Sequence, residues 1–266
     1  MKSLKHVTAT SDYYDTRADT YDDFNERDTS AINSLLIQIL TKHNVTTVFD
    51  MTCGTGSQVF AFAKAGFKVT GSDISPKMLD IAKQKLTSAH ENYCTLLQGD
   101  CRTIKAGEFD AVVAIFNSIG HLTREDFQIT LNNIYSNLKP GGLYIFDIFN
   151  LDYLKTNIAK LTTDNTRVLN NEQSIREVQF STISDDGVLT SYSTYIAQNH
   201  HDKTIEISHG YDNTLQVYSA TELQNMLESS GFLMLKQTNT DDSSFSQNSS
   251  ESILTVAQKI LINQIN

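Results

Sequence analysis

The sequence predicts an α/β fold: a three-layer sandwich around a seven-stranded, mostly parallel sheet, with an antiparallel β insertion late in the chain. Three observations predict it. Between residues 45 and 150, apolar strand-like runs alternate with helical stretches, which means βαβ units. Val112, Val113, Ile115 and Phe116 are apolar on both alternating faces, as a strand covered on both sides requires. Residues 175–218 switch to period-two alternation, the signature of half-buried antiparallel strands.

In chain order, residues 11–45 read as two helices. The first is a polar, aromatic segment over 11–24. The second, over 31–43, carries Ile32, Leu35, Leu36, Ile39 and Leu40 on one face. Strands follow at 48–50, 67–72, 93–98, 109–116 and 143–147. Leu138-Lys139-Pro140-Gly141-Gly142 is read as the turn before the fifth. In the insertion, Ser184-Asp185-Asp186-Gly187 predicts a hairpin turn, because Asp-Gly suits its backbone twist. Val188, Thr190, Tyr192, Thr194 and Ile196 share one face of the return strand. Asn199-His200-His201-Asp202-Lys203 is a second turn, with strands over 205–209 and 215–218 after it. Ser219 caps a helix over 219–230, with Glu222 three residues on, and Gly231 stops it. Strands over 232–237 and 253–260 complete the main sheet. The polar stretch 238–252 between them is expected to be a mobile loop. The expected organisation is a helical segment (1–44), a cofactor-binding core (45–150), an inserted substrate or lid region (151–218) and a C-terminal helix with two strands (219–266).

The chemistry gathers at successive strand ends. Val48-Phe49-Asp50 runs into Met51-Thr52-Cys53-Gly54-Thr55-Gly56. Small residues there let a ligand approach the backbone. A dinucleotide fingerprint needs a third glycine where Val59 stands, and no Lys-Ser/Thr follows the glycines as a P-loop needs. Asp50, at the mouth of the turn, would repel a pyrophosphate and attract an ammonium. Asp73 ends the second strand, near the position where a carboxylate meets ribose hydroxyls. Asp100, after the third, can accept from an exocyclic amine such as that of adenine. Three carboxylates at three adjacent strand ends fit one extended, cationic nucleoside.

With these motifs the chain resembles the class I S-adenosylmethionine-dependent methyltransferases, from about Tyr14 to the last strand. The resemblance implies a Rossmann-like fold, S-adenosyl-L-methionine as cofactor and S-adenosyl-L-homocysteine as product. It maps Asp50, Thr52, Gly54, Thr55 and Gly56 onto the cofactor loop, with Thr52 where the pattern has glycine. It maps Asp73 and Ile74 to the ribose, with Met78 in the helix that follows, and Asp100 and Cys101 to the adenine, Cys101 through its backbone N–H. Phe116 and Asn117 are expected beside the methionine portion. Tyr14 and Arg17 fall in a segment that folds over the cofactor and are candidates for its carboxylate. His121, Asp147 and Tyr21 are the candidate catalytic groups: a base or orienting donor, a carboxylate facing a cationic acceptor, and a hydroxyl over the site. Plainer readings stand beside these, a rim histidine for His121 and a loop-capping carboxylate for Asp147. Tyr192, Tyr195, His209 and Tyr211 are candidates for the pocket roof.

The expected function is methyl transfer to nitrogen or oxygen of a small molecule. The alternatives are a protein or tRNA methyltransferase, or a cofactor-binding protein without activity. The formal charge of −10 over 266 residues and the lack of a basic strip weigh against nucleic acid and anionic membranes as partners. Cys53, Cys94 and Cys101 show no paired spacing. Together with the lack of a long apolar run or signal-peptide pattern, they suggest a reducing, cytoplasmic setting. No metal site is expected from the His, Asp and Glu spacing, and the chain is expected to be a monomer or a homodimer.

Overall fold

A computed structural model describes residues 5–25, 29–87, 93–170, 173–209 and 213–260. Tyr211 lies outside them. The first expected helix is two: α1 (Ser11–Asp15) and α2 (Ala18–Asn25). The break falls at Thr16 and Arg17, where the N–H of Thr16 donates to the Asp12 carbonyl and that of Arg17 to the Tyr14 carbonyl. The second, α3 (Thr29–Lys42), buries Ile32, Leu36 and Leu40.

The main sheet holds β1 (Thr47–Asp50), β2 (Lys68–Asp73), β3 (Cys94–Gln98), β4 (Phe109–Ala114), β5 (Leu138–Phe149), β11 (Phe232–Thr238) and β12 (Ser252–Lys259). Their order across the sheet is β3-β2-β1-β4-β5-β12-β11, and β12 pairs antiparallel with both neighbours. Helices α4 (Ser57–Lys64), α5 (Pro76–Lys85), α6 (Arg124–Asn137) and α8 (Ala220–Ser229) cover its faces. Leu36, Leu40, Val59, Phe62 and Leu79 pack on Val48, Val113 and Ile145 of one face. On the other, Phe127, Leu131, Leu223 and Leu227 pack on Phe49, Val112, Tyr144 and Phe146. Alternate residues of the same strands thus feed both cores, which is why these strands read as continuous apolar runs.

Pro140 and Gly141 were expected in a turn before the fifth strand. They sit inside β5, in an irregularity where Phe109 pairs Leu138 but Ala111 pairs Leu143. The extra residues bulge out, and pairing resumes on the far side.

After the short helix α7 (Leu151–Asn157), a second, antiparallel sheet is built from β6 (Thr163–Asn170), β7 (Gln173–Ile183), β8 (Val188–Asn199), β9 (Ile205–His209) and β10 (Asn213–Gln216). Leu189, Leu215 and Val217 pack with Leu151 and Leu154 of α7, anchoring this sheet above the ends of β4 and β5. Helix α8 is capped as expected, with the N–H of Glu222 donating to Ser219 Oγ. The loop after β11 is held down by structure rather than left free. Asn150 Nδ2 donates to the carbonyls of Gln247 and Ser250 at 2.7 and 2.8 Å, and Phe245 packs on the core.

The strand order reverses between β1 and β4. In open α/β sheets that is where a crevice opens beyond the carboxyl ends of the strands.

Candidate active site

A cavity lies over that crevice. Thr52 and Gly54 form one wall, and Asp73, Ile74 and Met78 the next. Asp100, Cys101 and Arg102 form a third, and Phe116, Ser118 and His121 a fourth. Tyr14, Arg17 and Tyr21 close it from above.

The floor is set by the turn after β1. The N–H of Cys53 donates to the Ser72 carbonyl at 2.8 Å, which ties the loop to β2. Gly54 has φ of +52° and Gly56 of +92°, a region where side chains are strained. A Cβ on Gly56 would fall 2.5 Å from the Phe60 ring. Gly56 therefore caps α4 from below and does not line the cavity. Thr55 also faces away: its Oγ1 donates to Asp22 Oδ1 at 2.6 Å, which fastens α2 to the loop.

Asp50 lies beneath the loop, 2% exposed. Its Oδ1 accepts weakly from the N–H of Thr52 at 3.4 Å, and its Oδ2 has no hydrogen-bond partner among the described residues. Burial, with nearby Asp73 adding to it, pushes its carboxyl up to about 7 against a single opposing hydrogen bond. An unpaired buried oxygen costs roughly 1–3 kcal/mol. A cationic group brought to this loop would relieve that cost, so the site fits a ligand with an ammonium end.

Asp73 is better held. Its Oδ2 accepts from the N–H of Gly54 at 2.8 Å and its Oδ1 from the N–H of Ser75 at 2.9 Å. Burial still raises its carboxyl above the ordinary range, against those backbone donors. The Ile74 N–H adds a third backbone donor, which leaves the carboxylate with accepting capacity for a further hydroxyl. Asp100 is different. Burial would raise it, but the side chain, N–H and charge of Arg102 outweigh that and lower it. Arg102 grips both Asp100 oxygens, with Nη2 at 2.6 Å from Oδ2, and reaches Asp126 through Nη1 at 2.9 Å. The sequence reading passed over Arg102, although an arginine two residues after a carboxylate was the available signal. Cys101 lies beside it, its thiol pushed up to about 12 mainly by burial.

The roof is the N-terminal segment. Thr8 Oγ1 bonds Asp126 Oδ2 and accepts from the N–H of Thr123 at 2.9 Å. The N–H of Ala9 donates to the His121 carbonyl at 2.9 Å. Asp15 Oδ1 accepts from Ser75 Oγ at 2.5 Å, and Lys85 Nζ pairs with Asp22 Oδ2 at 2.5 Å. These contacts bring aromatic rings down onto the cavity. Tyr14 stands 5.4 Å from the His121 ring and 5.1 Å from that of Tyr13. Burial raises the Tyr14 hydroxyl well above its ordinary value, Asp73 adding to this, and takes that of Tyr21 to about 12. Both are neutral donors at neutral pH. Arg17 lies over the Tyr13 ring at 3.8 Å and donates to the Tyr13 carbonyl at 2.6 Å. Tyr13 and Thr8 were also absent from the sequence reading.

His121 ends a short 3₁₀ turn, Ser118–His121. Burial, then the charges of His6 and Arg17, lower it to about 4, so it is a neutral imidazole at neutral pH. Asp147 and Asn117 lie elsewhere. Asp147, 5% exposed, accepts from the N–H of Phe116 at 2.6 Å, and Asn117 Oδ1 accepts from the N–H of Phe149 at 2.8 Å. Phe116 and Asn117 have φ of +63° and +58°, uncommon for residues other than glycine. The two side chains cross-tie the ends of β4 and β5 and hold that corner, so the Phe116 ring fronts the cavity while Asp147 stays behind it. Tyr195 hydrogen-bonds Glu177 at 3.0 Å, and Tyr192 stacks on Phe180 at 4.9 Å. The turn around His200 and His201 is exposed. No cluster able to hold a metal ion occurs among the described residues, and no helix among them is long and apolar enough to cross a membrane.

Residues 48–142 match the model of a methyltransferase domain family. A putative methyltransferase of Bacillus subtilis is 37% identical over 122 residues, 45% of this chain and 47% of that protein. Human glycine N-methyltransferase is 30% identical over 175 residues, 54% of this chain and 59% of that protein. The chain thus spans about half the length of the curated relatives it matches. Among solved structures, an amino pentose methyltransferase from Micromonospora echinaspora with bound S-adenosylmethionine superposes with a TM-score of 0.73. That match has 17% identity and covers 97% of this chain and 99% of the other.

Proposed function

We propose that this chain is a class I S-adenosylmethionine-dependent methyltransferase that transfers the cofactor's methyl group to the nitrogen of a small-molecule amine. The observation that carries the reading is the cavity beyond β1, β2 and β3. It sets Asp73 and Asp100 at two strand ends and an unpaired buried carboxylate, Asp50, beneath the loop of the third. Asp73 would hold the ribose hydroxyls and the Asp100–Cys101 edge the adenine. The loop from Thr52 to Gly54, over Asp50, would receive the amino-acid end, with Tyr14 and Arg17 above it.

The cofactor supplies an electrophilic methyl on a sulfonium with a neutral leaving group, so the protein's part is alignment and exclusion of water. Tyr14, Tyr21 and Phe116 line the cavity and would pack around a bound cofactor. The choice of nitrogen rests on the weakness of any base there. An alcohol needs a base in the transition state, whereas an amine attacks once unprotonated. His121, with a pKa of about 4, is a feeble base for an alcohol but a sufficient neutral hydrogen-bond partner for an amine. The relatives named above for amine acceptors agree with this choice.

The test is transfer of labelled methyl from S-adenosylmethionine to panels of small amines, amino sugars and hydroxyl compounds. Turnover confined to amines is expected, with His121→Ala retaining most of it. Turnover on hydroxyl compounds that vanishes in His121→Ala contradicts the reading.

A further inference from the structure

Thr52 puts a hydroxyl in the cofactor loop where the methyltransferase pattern has a glycine. The residue lines the cavity, yet its Oγ1 is buried without a hydrogen-bond partner among the described residues. A hydroxyl left unpaired in a protein interior calls for an explanation, and a threonine needed only for bulk is better served by valine. Two residues away, Asp50 Oδ2 is unpaired in the same way. The Thr52 N–H turns back onto Asp50 Oδ1, so both unpaired oxygens belong to one turn. Their chemistry is complementary: the carboxylate only accepts, whereas the hydroxyl donates and accepts.

We infer that the Thr52 hydroxyl is a ligand of the amino-acid end of the bound cofactor, acting beside Asp50. It gives this chain a specificity contact that a glycine at this position cannot make. One staggered step about χ1 carries the Thr52 hydroxyl to another position around its Cβ. An incoming ammonium and carboxylate supply the partner that the hydroxyl lacks. The inference rests on the S-adenosylmethionine reading of the cavity and extends it to a residue outside the family pattern.

Calorimetric titrations of the parent, Thr52→Val and Thr52→Ser test it with three ligands. S-adenosylmethionine and S-adenosylhomocysteine carry the amino-acid end; 5′-methylthioadenosine keeps the adenine, ribose and sulfur and lacks it. Thr52→Val, which keeps the shape and removes the hydroxyl, is expected to bind the first two about tenfold more weakly, the loss of one hydrogen bond to a charged group. It should bind 5′-methylthioadenosine like the parent, and Thr52→Ser should bind all three like the parent. Unchanged affinity of Thr52→Val for S-adenosylhomocysteine overturns the inference. So does an equal loss for all three ligands, which marks a distorted loop. Failure of the parent itself to bind any of the three refutes the cofactor reading, and the inference falls with it.

Discussion

Two carboxylates, Asp100 in the cavity wall and Asp50 beneath its loop, differ because of what surrounds them. Asp100 is lowered by Arg102, whereas Asp50 is raised to about 7 by burial. Between its ordinary value near 3.8 and about 7, the folded protein keeps a proton on Asp50 that the unfolded chain has released. Folding stability from this group therefore falls as pH rises through that window. Asp50→Asn removes this slope. Without cofactor, the variant should gain stability relative to the parent as pH rises from about 4 to about 7, read by denaturant unfolding. Parallel pH profiles would show that Asp50 ionises normally. The same group predicts that affinity for S-adenosylmethionine rises with pH through about 7, as a carboxylate forms opposite the ammonium. Asp73→Ala, which removes the proposed ribose acceptor, should weaken cofactor binding by about 1–3 kcal/mol. An unaltered dissociation constant would move the ribose elsewhere.

At the scale of elements, the junction of β4 and β5 is the strained part of the site. Phe116 and Asn117 both lie in the left-handed region, held by Asp147 and by the Asn117–Phe149 bond. Asp147→Ala should destabilise the fold by about 1–3 kcal/mol, because it leaves the Phe116 N–H unpaired. Asp147→Asn, which keeps an acceptor, should cost less. A neutral effect of Asp147→Ala in chemical denaturation would mean the corner holds without it. The sequence left Asp147 either facing a cationic acceptor or capping a loop, because a carboxylate near the end of β5 points either way until the loop from β4 is known; it accepts from the Phe116 N–H of that loop. Two adjacent left-handed residues that are not glycine leave no sequence signal. Strand β6 went unread for a related reason: Thr163–Asn170 is polar and lacks alternation, and its pairing with β7 supplies the order.

Across the whole molecule, the legible part was the part fixed by periodicity. Alternating strands and helices gave the parallel sheet, and Asp-Gly in the hairpin placed β7 against β8. Asp50, Asp73 and Asp100 were expected around one crevice because successive strand ends are neighbours in such a sheet; Asp73 and Asp100 line it, and Asp50 lies beneath its loop. Long-range partners were not legible. Nothing in the sequence ties Thr8 to Asp126, Asp15 to Ser75 or Thr55 to Asp22, yet these bonds close the N-terminal segment over the cavity. They predict that cofactor binding slows amide hydrogen exchange together in α1, in the loop after β1 and around Asp100, with the β7–β8 hairpin unchanged. Protection confined to the loop after β1 would mean that the segment does not form the roof in solution.

The cavity as proposed here takes a cationic nucleoside rather than a dinucleotide. This is tested most directly by calorimetric titration of the intact protein with S-adenosylmethionine, S-adenosylhomocysteine and NAD. One-site binding of the first two is expected, and none of NAD. Binding of NAD with no response to either sulfur nucleoside would contradict it.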